Sequence, residues 1–140
     1  MDGSYWEHLR TAVGSAVAPY GYTLATWTTG AVLMQAYGLP ATVDALLFMG
    51  GAVLAFALVG MVAFGGVTTE FAHAPSRAPL WGSFHFFSVG GAIGTTVLAT
   101  YLFSGHIGWL LTPFASTATY LLILGVQVSV GHGRERRHRA

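Results

Sequence analysis

The chain contains no cysteine. That excludes disulfides, thiolate metal sites, iron–sulfur clusters and the paired-cysteine chemistry of quinone-linked thiol oxidoreductases. It also contains no lysine, and all six basic residues are arginine. Such a bias is expected of GC-rich bacterial coding. Charge of either sign is scarce, at 8% of 140 residues, where a soluble domain carries roughly 25%. So little charge cannot coat a water-facing surface. With hydrophobic residues at 54%, the composition calls for a solvent that accepts apolar side chains, which is lipid.

The first apolar run is preceded by Asp2 and Glu7 beside Arg10. There is no positively charged leader region, so no cleavable signal peptide is expected. Four apolar runs follow, at about 20–38, 45–64, 80–103 and 107–130. A membrane-spanning helix needs about 20 mostly apolar residues, and no Asp, Glu, Lys or Arg falls inside any run. The expected fold is therefore all-α: four transmembrane helices in a small bundle, as one domain over residues 1–140.

The boundaries have local causes. Pro19 suits a first helical turn, where its missing N–H is no loss. Gly38-Leu39-Pro40 ends the first run, because the residue before proline avoids the helical region. Asp44 suits the N-terminus of the second, where a carboxylate meets free amides and the positive end of the dipole. Gly65-Gly66, Ser104-Gly105 and Gly131 end the second, third and fourth. Ahead of the first run, Ser4 and Glu7 form a capping-box pattern, and Tyr5, Leu9, Ala12, Val13 and Ala16 recur at helical spacing. Residues 1–18 are thus expected as a short amphipathic helix on the membrane surface, or else as a frayed terminus. Residues 132–140 form a basic tail.

Orientation follows from arginine. With four spans, the N-terminus, the middle loop and the C-terminus share one side. They hold Arg10, Arg77 and the quartet Arg134, Arg136, Arg137 and Arg139, while the other two loops hold none. The positive-inside rule makes the arginine side cytoplasmic, so a multi-pass protein of the bacterial plasma membrane with both termini inside is expected. Tyr20, Tyr22, Trp81 and Phe84 fall near the inner interface, and Tyr37, Tyr101, Phe103 and Trp109 near the outer one, as aromatic belts do.

Helices in lipid are held by close backbone approach and by hydrogen bonds, because lipid is as apolar as leucine. The expected packing positions are Gly51 with Ala55, and Gly90 with Gly94. The second pair suits either a contact within the bundle or one with another subunit. Thr112, Ser116 and Thr119 line one face of the fourth run, and Thr26 and Thr29 one face of the first. His85 and Gln127 fall at similar depth, so they can pair across helices. Intramembrane polar groups are functional suspects, but no acid lies mid-membrane, which argues against a pump built on a buried carboxylate. His85 and His106 are about 21 residues apart, roughly 31 Å along a helix, and cannot share a haem iron. No nucleophile–base set is assembled by the pattern.

These residues point to a protein that works by helix packing, as a homo-oligomer or as an accessory subunit of a membrane complex. The alternatives are a small channel or transporter with a Thr/Ser-lined path, and a redox or haem-associated subunit. No catalytic residue, metal, cofactor or nucleic-acid partner is expected; the expected partners are the bilayer and other membrane subunits. The arginine tail sets orientation and meets anionic headgroups at about 1 kcal/mol per residue. Replacing Arg134, Arg136, Arg137 and Arg139 by alanine should weaken topology or anionic-lipid affinity and leave the circular-dichroism helix signal in detergent unchanged.

Overall fold

The computed structural model describes the backbone of residues 3–64 and 85–138, and the side chains of residues 20–62 and 86–127. Four helices account for the regular structure of these residues: α1 (Gly3–Tyr37), α2 (Thr42–Phe64), α3 (His85–Leu102) and α4 (Gly105–His138). α2, over Thr42–Val62, and α4, over Gly105–Gln127, are long and apolar enough to cross a membrane; the apolar part of α3, Phe86–Leu102, is shorter. The expected glycine stop at 65–66, the start of the third run at 80–84, Arg77 and the side chains of His85 and the tail lie outside the described residues.

Two expected boundaries change. α1 is continuous from Gly3 to Tyr37, so residues 3–18 extend the first apolar helix instead of forming a separate surface element. The backbone passes through Pro19 without a break. α4 likewise continues past Gly131 to His138. The sequence puts Arg134, Arg136 and Arg137 in its last turns, where cations suit the negative end of the helix dipole.

The loop boundaries follow their local causes. Gly38 has φ 87°, and its N–H donates to Met34 O at 2.9 Å, a glycine C-cap of α1. Asp44 reaches back one turn, with Ala41 N–H donating to its Oδ2 at 2.9 Å. This is one half of a capping box. Only Phe103 and Ser104 separate α3 from α4, so the loops joining α1 to α2 and α3 to α4 are both short. They lie at one end of the bundle, where Tyr37 Oη donates to Phe103 O at 2.5 Å.

α4 is the centre of the packing. It touches α1, α2 and α3, and α1 also packs on α3. Among the described residues α2 packs backbone-to-backbone on α4 alone; it meets α1 through long side chains, with Phe56 edge-on to Tyr22 at 5.0 Å between ring centroids. The inward faces carry small or hydroxyl residues at helical spacing. On α1 these are Gly21, Ala25 and Thr29, followed by Leu33; on α3, Ser88, Ala92, Thr96 and Ala99; on α2, Gly51, Ala52 and Ala55. Small side chains let the backbones approach closely.

The closest approach is at Gly51. A Cβ there would collide with the backbone carbonyl of Leu110 and press on Pro113. Pro113 lies inside α4, where it removes one helical N–H. On α3 the tight position is Gly91, which faces the Ile123 side chain. Gly90 and Gly94 are exposed, and a Cβ at either would meet nothing. Trp109, expected in an outer aromatic belt, lies in the first turns of α4 at the loop end. It is buried and packs against Tyr37, with ring centroids 6.2 Å apart.

Gly51→Leu should therefore force α2 from α4 and lower the melting temperature in detergent, with overpacking costing about 1–3 kcal/mol. Gly50→Leu, one residue away with nothing within 4 Å of its Cβ position, should leave the melting curve unchanged.

Candidate functional site

The interior is built around hydroxyl groups. Thr29 of α1 lies 3.0 Å from Thr96 of α3 and 3.0 Å from Ser116 of α4. All three residues are buried. Each also finds a backbone carbonyl: Thr29 donates to Ala25 O at 2.8 Å, Thr96 to Ala92 O at 2.9 Å, and Ser116 approaches Ala92 O at 3.2 Å. A hydroxyl has one proton, so the three cannot donate to every neighbour at once. They form a junction that can exchange donors while keeping three helices joined.

A second rung lies beside it. Thr95 donates to Thr119 at 3.2 Å and approaches Gly91 O at 2.9 Å. Further along the same α3–α4 seam, Ser88 donates to Gln127 Oε1 at 2.7 Å. Gln127 thus bonds to Ser88, one turn beyond the expected partner His85, whose side chain lies outside the described residues. Thr112 Oγ1 is buried without a hydrogen-bond partner among the described residues. It lies beside the Tyr37 hydroxyl, which donates to Phe103 O instead.

Between α1 and α2, above α4, lies a cavity of about 10 Å³, enough for one water. Thr26 and Thr29 border it from α1, Phe48 and Ala52 from α2, and Ser116, Thr117 and Tyr120 from α4. Aromatic side chains reach between α1 and α2, with Tyr22 edge-on to Phe56 and Phe48 near Gly30. At the loop end, Asp44 Oδ1 lies 2.5 Å from His106 Nδ1. Within residues 20–62 and 86–127 these are the one acid and the one histidine, and arginine and lysine are absent there.

Of the positions singled out from sequence, Thr29, Ser116 and Thr119 join hydrogen-bonded contacts between helices. Gly51 and Ala55 lie on the face of α2 turned to the interior, whereas Gly90 and Gly94 face outward. Thr96, Ala92 and Ser88 were not singled out. Their spacing of four along α3 was a visible signal, but it competes with Gly90 and Gly94 on the same helix. Among the described residues no group of three or more metal-ligating side chains comes together. The chain matches no family model, no curated protein and no solved structure in comparison.

The junction carries cohesion, and its strength can be measured. Hydrogen bonds between membrane helices average about 0.6 kcal/mol and reach about 1.7. A double-mutant cycle of Thr29→Val and Ser116→Ala, read by unfolding in mixed micelles, should give a coupling inside that span. Zero coupling would mean that the junction contributes packing alone.

Proposed function

We propose that this chain is a four-span protein of the bacterial plasma membrane, with spans near 20–38, 45–64, 80–103 and 107–130 and both termini in the cytoplasm. It acts by helix packing, as a homo-oligomer or as an accessory subunit of a membrane complex. The observation that carries this reading is an inverted distribution of polarity. The buried set is rich in Thr29, Ser88, Thr96, Thr112, Ser116 and Thr117, whereas Leu46, Met49, Val53, Phe86, Phe87, Leu98 and Val126 are exposed. In water that surface would drive aggregation; in lipid it costs nothing. Of the two long apolar spans 17% of that in α2 and 39% of that in α4 is buried within the chain, which supports a lipid-facing role over that of a soluble protein's core helix.

Gly90 and Gly94 support the packing role. They open a notch on the outward face of α3, between Phe86, Phe87, Val97 and Leu98. A second helix can approach closely there, and dispersion with weak Cα–H···O contacts then accumulates. The hydroxyl-lined cavity favours a second reading, a small channel or transporter using Thr26, Thr29, Ser116 and Thr117. At about 10 Å³ it has room for one water, little for a conducting path among the described residues, so packing is the better-supported role.

Reporter fusions test the topology. A periplasm-dependent enzyme should be active when joined after Pro40 or His106 and silent after Ser76 or Ala140. Activity at Ala140 would contradict the four-span arrangement. Gly90→Leu and Gly94→Leu test the association: the assembly should shrink by size measurement while the monomer keeps its melting temperature. An unchanged assembly would remove α3 as its interface.

A further inference from the structure

Among the described residues α2 packs its backbone on one helix, α4. Toward α1 it offers Phe48 near Gly30 and Phe56 against Tyr22. At the loop end it gains one polar tie, from Asp44 Oδ1 to His106 Nδ1 in the first turn of α4. The two partners are unequally placed. The Asp44 side chain is 11% exposed and that of His106 is 73% exposed. The carboxylate is therefore fixed, by Ala41 N–H on one oxygen and by the imidazole on the other, while the imidazole is open to protons from outside.

We propose that this pair is a proton-responsive latch, in which protonation of His106 tightens the hold of α4 on the loop end of α2. A neutral imidazole can donate one hydrogen bond from Nδ1 to the carboxylate. An imidazolium keeps that bond and adds charge, and charge-assisted bonds are roughly twice as strong as neutral ones. The helix ends make the carboxylate necessary. His106 sits in the first turn of α4, where the dipole disfavours a cation, and Asp44 offsets that penalty. When the proton leaves, the neutral contact remains and α2 is held mainly by its packing at Gly51. The gap that α2 shares with α1 is the hydroxyl-lined cavity, so loosening α2 widens that gap.

Few other groups compete for this role. α1 brings Tyr37, whose hydroxyl is given to Phe103 O. α3 brings Tyr101 in its last turn, which is exposed. α2 and α4 bring no further titratable side chain at this end among the described residues.

The absence of cysteine makes the test direct. Leu46 of α2 and Ile107 of α4 are exposed. Spin labels on the double variant Leu46→Cys, Ile107→Cys report the distance between the two helices in lipid bilayers. Between pH 8 and pH 5, the range in which imidazoles change charge, the distance distribution should narrow and shift to shorter values. In His106→Gln, and separately in Asp44→Asn, that response should be lost, with circular dichroism checking that each variant keeps its helices. An identical distribution at both pH values in the parent protein overturns the latch. So does a pH response that survives in His106→Gln.

Discussion

The meeting of Thr29, Thr96 and Ser116 is the interaction on which the bundle depends. Three hydroxyls from α1, α3 and α4 lie at 3.0 Å spacings in an interior without a formal charge at that depth. Such groups can meet only if the backbones carrying them are close, which requires Ala25, Ala92 and Ala99 as neighbours on the same faces. Once they meet, each satisfies the others, and the cost of burying a polar group is offset. The position of α4 at the centre follows, because it supplies one side of this junction, the rung to Thr95 and the bond to Ser88.

α2 is attached by a different principle. It carries no hydroxyl into the junction and relies on Gly51, whose missing side chain admits the Leu110 carbonyl. The bundle therefore has a polar seam through α1, α3 and α4 and a smooth seam between α2 and α4. The proton-responsive tie sits on the smooth seam. Glycine is placed in two ways in this chain: Gly51 and Gly91 are consumed by contacts within it, while Gly90 and Gly94 lie on an exposed face of α3.

Much of this was legible in the residues, and the division is physical. Helix ends were legible where the cause is local, as with Gly38 at its positive φ and Asp44 in the first turn of α2. Continuity through Pro19 and Gly131 was not, because the local preference of a single residue is a weak prior that the surrounding helix overrides. The hydroxyl face of α4 could be read from the spacing of Thr112, Ser116 and Thr119. The inward face of α3 could not, since Ser88-Ala92-Thr96 and Gly90-Gly94 compete and one-dimensional spacing does not set the rotation of a helix. The burial of Trp109 was not legible either, because it depends on the Tyr37 ring seating against Gly108 and packing on the indole from another helix. The pairing of Asp44 with His106 joins residues 62 apart in sequence and depends on the two short loops sharing one end.

The central claim is that lipid is the solvent for the outward face, and two tryptophans report on it directly. Trp27 is 74% exposed in the middle of α1 and Trp109 is 5% exposed. In variants keeping one tryptophan each, reconstituted into bilayers of bromine-labelled lipid, Trp27 fluorescence should be strongly quenched by the acyl chains and insensitive to aqueous iodide, with Trp109 weakly quenched by both. Strong quenching of Trp27 by iodide, with no effect of the brominated chains, would place that surface in water and contradict the account.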